Sequence, residues 1–227
     1  MGIERITERQ VIGWFYATLA AMAGMEWINS ISSGFDIIQM DYEAEGREEL
    51  MELIPQADAL FSLLTVKVDD ELLSLVPDLK VVGNMAVGYD NVDVAACTQR
   101  GIPVGNTPGV LTEGTADLSF ALLLAAARKI KQSNQDILKG KWTTWDPVGW
   151  LGADLNGRTL GIIGMGKIGS AMAKRAYGFG LNIIYVDSSP NKAVEEAYRA
   201  KAVYLDELLQ SSDFVSLHVP LTDQTRH

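Results

Sequence analysis

The sequence predicts an α/β fold built on parallel sheets. Two observations lead to this prediction. Apolar, β-rich segments alternate with helix-like segments along the chain, and a glycine-rich turn at residues 164–169 joins an apolar strand to a helix. The 227 residues, 48% of them hydrophobic, are enough for a large core and for one or two domains.

Three segments in the first part of the chain have the pattern of strands. Residues 35–41 (FDIIQMD), 57–64 (ADALFSLL) and 79–87 (LKVVGNMAV) are short and mostly apolar. Helix-like segments separate them, an acidic one around residues 43–54 and a second at residues 69–76. Because strands and helices alternate, we expect these strands to lie parallel in the sheet of a small first domain.

The N-terminal segment allows two interpretations. Arg5 and Arg9 precede an apolar run at residues 11–25, and residues 21–23 (AMA) resemble a cleavage site, which is the pattern of an export signal. The run is shorter than the roughly 20 residues that span a bilayer. A helix buried in the protein or at an interface is therefore the favoured interpretation.

The middle of the chain predicts a long helix followed by an irregular segment. Residues 115–131 (TADLSFALLLAAARKIK) are apolar on nearly every side before Arg128 and Lys129, which predicts a helix buried between layers that bridges two domains. Residues 140–157 then place Trp142, Trp145 and Trp150 among glycine and proline. These tryptophans form either a surface or subunit-contact segment or a cap on the core.

The glycine-rich turn predicts a dinucleotide site. Residues 159–180 (TLGIIGMGKIGSAMAKRAYGFG) place a short apolar strand before the glycines and a helix rich in small residues after them. In such a turn Gly164 permits the tight bend, Gly166 leaves room for a pyrophosphate, and Gly169 lets helix and strand pack closely. The helix N-terminus offers unpaired N–H groups, and Lys167 adds a charge. The alternative is a glycine turn made for steric reasons alone.

The next strand-like segment indicates which cofactor is used. Residues 181–186 (LNIIYV) end at Asp187, which lies 18 residues after Gly169, close to the position of an acid that binds the adenosine ribose. A carboxylate accepts hydrogen bonds from a free 2′-hydroxyl and repels a 2′-phosphate, and Ser188 and Ser189 offer no arginine. NAD(H) is therefore favoured over NADP(H). The alternative is an ordinary turn acid before Pro190.

Composition and charge argue against other classes of function. The 29 acidic residues outnumber the 19 lysines and arginines, for a formal net charge of −10, so neither nucleic acid nor a membrane is an expected partner. Cys97 is the single cysteine and is expected to be a small buried hydrophobe. No cluster of cysteine and histidine has metal-ligand spacing, so no metal site is predicted, and these features together indicate a reducing cytoplasm.

Three further segments resemble one protein family. NMAVGYDNVDV (84–94), GIPVGNTPGVLTEGTADLSFALLLAAAR (101–128) and SLHVPLTDQTRH (216–227) resemble the D-isomer-specific 2-hydroxyacid dehydrogenases, in particular the glyoxylate/hydroxypyruvate reductases. The resemblance covers about residues 35–227. It implies a flavodoxin-like substrate domain at residues 1–107 and a doubly wound Rossmann NAD-binding domain at residues 108–227, incomplete in this chain.

The resemblance also implies roles for individual residues. The backbone N–H groups of Val87 and Gly88 are expected to bind the substrate carboxylate, with Leu64 and Thr65 lining the same cleft. N–H groups in a glycine turn suit this task, although an ordinary strand-ending turn is the alternative. The implied dinucleotide-binding residues are Thr115, Gly164, Met165, Gly166, Lys167, Ile168, Gly169, Asp187, Ser188, Val219, Pro220 and Thr225.

The family's catalytic arginine, glutamate and histidine are expected beyond residue 227, so no catalytic residue is assigned. His218 and His227 fall at non-catalytic positions of the pattern and are expected to be hydrogen-bonded or solvent-facing. The strand expected at residues 214–219 then forms an uncovered sheet edge, which predicts marginal stability or aggregation. Residues 1–33 also depart from the pattern: charged residues replace a β-branched run at residues 3–12, so the opening strand of the first domain is in doubt.

The implied function is NAD(P)H-dependent reduction of a small 2-oxoacid of the glyoxylate or hydroxypyruvate type to the D-2-hydroxyacid, by a cytoplasmic homodimer. The chain alone is expected to be inactive, and the tryptophan-rich segment is expected to form part of the dimer contact. Two alternatives are a non-catalytic nucleotide-binding module or remnant of the same superfamily and, among enzymes, a 3-phosphoglycerate, formate or phosphite dehydrogenase.

Overall fold

A computed structural model describes residues 10–14, 36–40, 46–222 and 224–226, the first two segments by their backbone alone. The chain divides into two compact units, Met1–Pro108 and Gly109–His227. The division lies one residue after the domain boundary that the sequence predicts.

The first unit is built on a parallel sheet. Its strands are β1 (Gln10–Trp14), β2 (Asp36–Met40), β3 (Ala57–Ser62), β4 (Val81–Asn84) and β5 (Val104–Gly105). They lie in the order β2-β1-β3-β4-β5, and every pair is parallel. This is the 2-1-3-4-5 order of flavodoxin-like folds, so the predicted fold class is confirmed for this unit.

Among the described residues of this unit, three helices accompany the sheet: α1 (Arg47–Leu53), which continues into a 3₁₀ turn, α2 (Asp70–Ser74) and α3 (Val94–Gln99). The Asp69 and Asp93 carboxylates begin α2 and α3 by accepting hydrogen bonds from the N–H groups of Leu72 and Ala96. The core between helices and sheet is aliphatic, and Cys97 is fully buried in it. The prediction that Cys97 is a small buried hydrophobe is thus confirmed.

The N-terminal segment corrects two predictions. Residues 10–14 form β1, which pairs with β2 on one side and β3 on the other, so the opening strand exists and residues 11–14 are not helical. The sequence misled because the charges at residues 4–9 precede the strand, and because strand propensity depends on pairing with neighbours. The rest of the apolar run, residues 15–25, lies outside the described residues.

The second unit carries a second parallel sheet. Its strands are β6 (Thr159–Ile163), β7 (Asn182–Val186), β8 (Lys201–Ala202) and β9 (Phe214–Leu217), in the order β8-β7-β6-β9. Counted from the first strand of the unit this order is 3-2-1-4, as in the first half of a doubly wound dinucleotide-binding fold. The helices of this unit are α4 (Thr112–Ala127), α5 (Ile130–Leu138), α6 (Lys167–Gly178), α7 (Lys192–Tyr198) and α8 (Leu205–Ser211).

The helix predicted at residues 115–131 differs from expectation in length and burial. The α4 helix ends at Ala127, and the left-handed backbone of Lys129 (φ 52°) separates it from α5. Ala116 and Phe120 are buried, but Leu118 and Leu122 are 62% and 61% exposed. The predicted burial between layers is therefore not observed for the face that carries Leu118 and Leu122, because α4 packs a different face against α6.

The tryptophan-rich segment lies largely at the surface. Trp142 and Trp145 are 57% and 77% exposed, which favours the surface or subunit-contact interpretation for these two residues. Trp150 is half-buried, and its indole N–H donates to Asp136 Oδ2 at 3.1 Å.

Candidate functional site

The glycine turn between β6 and α6 lies against the end of β9. Gly164 has φ of 95°, a left-handed conformation that favours glycine. A Cβ atom at this position would lie 2.5 Å from the His218 carbonyl oxygen and 2.9 Å from Val219 Cγ1. The close approach places Gly164 and Val219, two predicted dinucleotide-binding residues, side by side.

The other two glycines of the turn have opposite surroundings. A Cβ at Gly169 would clash with the Gly164 carbonyl oxygen, so the first turn of α6 packs directly on the glycine turn. A Cβ at Gly166 would meet no atom of the described residues within 4 Å, apart from its two chain neighbours. Gly166 is thus an open position at the N-terminus of α6, where helix N–H groups have no intrahelical partner and favour a phosphate. The residues present fit a dinucleotide pyrophosphate.

Met165 is held in place through both of its backbone polar groups. Its N–H donates to Asp187 Oδ2 at 2.6 Å, and its carbonyl accepts a hydrogen bond from Asn191 Nδ2 at 3.0 Å. The Met165 side chain is buried, 2% exposed. Both partners follow β7, so the segment after β7 fixes the glycine turn that follows β6.

Asp187 is exposed at the carboxyl end of β7, beside the glycine turn. Burial raises the pKa of Asp187, but the hydrogen bonds from the Met165 N–H, the Ser188 hydroxyl and the Ser189 N–H outweigh burial and hold the pKa below its ordinary value. Asp187 is therefore an anion at neutral pH. It can accept a ribose hydroxyl while it also braces the turn, a second role that the sequence did not indicate.

The remaining predicted residues of the glycine turn lie at the start of α6. Lys167 is the first residue of the helix and is exposed, and Ile168 is half-buried. The Lys167 ammonium lies 3.8 Å from the position that a Cβ on Gly109 would occupy, so it points toward the segment before α4. Thr115, half-buried, lies in the first turn of α4.

The loop after β9 is closed by threonines. Thr225 Oγ1 donates to the Pro220 carbonyl at 2.6 Å and accepts from the Thr222 N–H at 2.8 Å. Val219 and Pro220 are exposed at the start of this loop. Thr222 thus belongs to the same turn as the predicted Thr225, and the sequence analysis did not single it out.

The predicted carboxylate-binding loop follows β4 in the first unit. Val87 and Gly88 are exposed, and neither of their N–H groups has an acceptor among the described residues. Leu64 Cδ2 lies 3.9 Å from the position of a Cβ on Gly88, so the structure brings these two predicted residues together. Thr65 is exposed next to Leu64. Free N–H groups on a glycine-containing loop suit a carboxylate.

Asparagines that the sequence analysis missed hold this loop. Asn84, 2% exposed, donates through Nδ2 to the Gly88 carbonyl at 2.9 Å. Asn91 donates to the carbonyls of Leu63 and Val66, and Asn106 donates to the Val87 carbonyl at 2.9 Å. The carbonyls of Val87 and Gly88 are thus engaged from within the unit while their N–H groups stay free. Asparagine is common in turns, so its type alone gave no signal of this role.

The imidazole of His218 is hydrogen-bonded within the protein. Its Nε2 lies 2.8 Å from Ser216 Oγ, and its backbone N–H donates to the Ile163 carbonyl at 2.7 Å. Burial lowers the pKa of His218, so the ring is neutral at neutral pH. The prediction that this histidine is hydrogen-bonded is confirmed, whereas His227 lies outside the described residues.

The described residues show no feature of a metal site or of a membrane span. Within them, no three histidine, cysteine, aspartate or glutamate residues are placed so that they could hold a metal ion. No helix among them has the length and apolar character needed to cross a membrane.

A parallel sheet, a glycine turn at a helix N-terminus and an acidic residue after the second strand define a Rossmann-type dinucleotide-binding protein. Residues 120–227 match the family model described as D-isomer specific 2-hydroxyacid dehydrogenase, NAD binding domain. Together with the similarities below, this match shows that the chain belongs to the D-isomer specific 2-hydroxyacid dehydrogenase family.

Curated relatives include two archaeal glyoxylate reductases. The protein from Korarchaeum cryptofilum is 48% identical over 202 residues, which cover 88% of this chain and 61% of the relative. The protein from Thermococcus litoralis is 50% identical over 191 residues, which cover 82% of this chain and 58% of the relative. The chain therefore spans about three fifths of the length of these relatives.

Solved structures show the same similarity. A protein from Thermus thermophilus superposes with a TM-score of 0.84 at 36% identity, covering 96% of this chain and 67% of that one. D-lactate dehydrogenase from Aquifex aeolicus, solved with NAD and lactic acid, gives a TM-score of 0.80 at 27% identity, with 96% of this chain and 62% of that one covered.

Proposed function

We propose that the protein to which this chain belongs reduces a small 2-oxoacid of the glyoxylate or hydroxypyruvate type to the D-2-hydroxyacid with NADH. The single observation that supports this most is the glycine turn, with an open Gly166 at the helix N-terminus and an ionised Asp187 beside it. Relatives named glyoxylate reductase at 48% and 50% identity support the substrate class.

The cofactor proposal is NAD(H) in preference to NADP(H). If Asp187 accepts from the 2′-hydroxyl as proposed, its negative charge would repel a 2′-phosphate, and Ser188, whose hydroxyl already donates to Asp187, offers no compensating cation. Replacement of Asp187 by alanine is expected to weaken NADH binding by about 10-fold and NADPH binding less. Equal losses of affinity for NADH and NADPH would show that Asp187 holds the glycine turn but does not select the cofactor.

The substrate proposal places the 2-oxoacid carboxylate on the free N–H groups of Val87 and Gly88. A small carboxylate needs short, fixed donors, and Asn84 and Asn106 fix this loop through its carbonyls. Leu64, 57% exposed beside Gly88, offers an apolar contact to the rest of a small substrate. NADH, when bound, would supply a hydride to the C2 carbonyl carbon of the substrate, and the new alkoxide would need a proton from an acid. His218 is not proposed as that acid, because it is paired with Ser216.

The direct test is to mix the purified protein to which this chain belongs with NADH and either glyoxylate or hydroxypyruvate. NADH oxidation is measured as a loss of NADH absorbance. The proposal expects turnover with at least one of them. Turnover with 3-phosphohydroxypyruvate alone, or NAD reduction with formate or phosphite, would assign the protein to another branch of the family. NADH binding without turnover of any of these compounds would support the non-catalytic binding module instead.

We also propose a homodimer in the cytoplasm. Leu118, Leu122, Trp142 and Trp145 are large apolar side chains that are each more than half exposed, and such side chains are common in subunit contacts. A second copy of the chain is the partner that a symmetric contact would bring to these side chains. Cytoplasmic location rests on the single buried thiol and on the supply of NADH there.

A further inference from the structure

Asn191 contacts three separate parts of the nucleotide unit. Its Nδ2 donates to the Met165 carbonyl at 3.0 Å and to Ser170 Oγ at 3.2 Å, while its Oδ1 accepts from the Val194 N–H at 3.3 Å and begins α7. Its backbone N–H donates to Tyr185 Oη at 2.7 Å. The Met165 carbonyl requires a donor and the Val194 N–H requires an acceptor, so the two contacts fix one orientation of the Asn191 side-chain amide.

The residue is anchored by the core, independently of the glycine turn. Tyr185 is fully buried in β7, and its hydroxyl donates to Glu195 Oε1 at 2.8 Å while it accepts from the Asn191 N–H. Asn191 is therefore a fixed hydrogen-bond donor to the glycine turn, because its own backbone is held by β7 and α7 and not by the turn.

The contact with Met165 controls the next peptide group. The Met165 carbonyl and the Gly166 N–H belong to one planar trans peptide unit, so they point in opposite directions. A carbonyl held toward Asn191 directs the Gly166 N–H away from it, and that N–H has no acceptor among the described residues. Gly166 is also the position where a side chain would meet no protein atom within 4 Å.

We propose that Asn191 is a positioning residue of the dinucleotide site, which fixes the orientation of the Gly166 N–H by holding the Met165 carbonyl. The inference rests on the proposed function, since it requires that the glycine turn binds NADH. Asn191 itself need not touch the cofactor. Its Nδ2 serves the turn and its Oδ1 serves the helix cap, so the two roles can be separated by mutation.

The experiment compares Asn191→Ser with Asn191→Ala in the purified protein to which this chain belongs. Serine keeps an oxygen that can begin α7 but is too short to reach the Met165 carbonyl, whereas alanine loses both contacts. We expect both variants to bind NADH about 5- to 10-fold more weakly, as for the loss of one hydrogen bond. Alanine is expected to lower the melting temperature more than serine, because it also removes the side-chain cap of α7. NADH affinity is measured by fluorescence titration at fixed salt, and stability by thermal unfolding.

Asp93→Ala is the matched control, because it removes the side-chain cap of α3 in the first unit. It should lower the melting temperature and leave NADH affinity unchanged. NADH binding by Asn191→Ser equal to that of the unmodified protein would overturn the positioning role alone. Absence of NADH binding by the unmodified protein to which this chain belongs would overturn the proposed function as well.

Discussion

Replacement of Gly166 by alanine should abolish tight NADH binding and leave the fold intact. Gly166 has φ of −72° and ψ of −158°, a conformation open to alanine, and the new methyl group would meet no protein atom within 4 Å. Alanine is a poorer helix N-cap than glycine by up to about 1 kcal/mol, but it restricts the unfolded chain by a similar amount. The melting temperature should therefore change by no more than roughly 4 °C.

The expected loss of NADH affinity in Gly166→Ala has the same cause as its small effect on stability, the open space beside Gly166. The methyl group would occupy the approach to the N–H groups at the start of α6, which are the proposed pyrophosphate donors. Loss of two charge-assisted hydrogen bonds, each worth about 1.5 kcal/mol or more, removes about 3 kcal/mol. This corresponds to binding that is on the order of 100-fold weaker.

Gly169→Ala is the companion variant, with the opposite expectation for stability. Its methyl group would clash with the Gly164 carbonyl oxygen, so the helix must move, at a cost of about 1–3 kcal/mol and a fall of several degrees in melting temperature. Fluorescence titration with NADH and thermal unfolding distinguish the two variants. Wild-type NADH affinity in Gly166→Ala would refute the placement of the pyrophosphate, and wild-type stability in Gly169→Ala would refute the packing argument.

Three further predictions concern other parts of the chain. Burial raises the pKa of Asp69, but hydrogen bonds from Arg47, the Leu72 N–H and Lys67 lower it to about 2 from an ordinary 3.8. The ionised carboxylate should therefore add about 2 kcal/mol of stability above pH 4, which is lost as the pH falls toward 2. The difference in free energy of unfolding between the unmodified protein and Asp69→Asn, measured by urea unfolding, should shrink over that pH range. In the protein to which this chain belongs, Asn106→Ala should raise the KM for glyoxylate about 5-fold in steady-state kinetics and leave the KM for NADH unchanged, because the Val87 carbonyl loses its hydrogen bond. Trp145→Ser should shift a dimer to monomer in light scattering, and an unchanged mass would place the contact elsewhere.

The sequence alone predicted the class of fold and the position of the dinucleotide site. Both depend on local spacing: an apolar strand, three glycines at fixed intervals and an acid after the next strand define a βαβ unit within about 30 residues. The open surroundings of Gly166 and the close packing of Gly169 agree with the roles that this spacing predicted.

The tertiary structure alone revealed β1, the open face of α4 and the asparagines that hold the two loops. The strand at residues 10–14 is stabilised by ladders to β2 and β3, which are remote in sequence, so local composition could not predict it. Asn191 and Met165 are 26 residues apart, and Asn106 and Val87 are 19 apart. Such contacts arise because parallel strands end at one edge of a sheet, which brings the loops that follow them together. The order of the strands in the sheet decides which loops become neighbours.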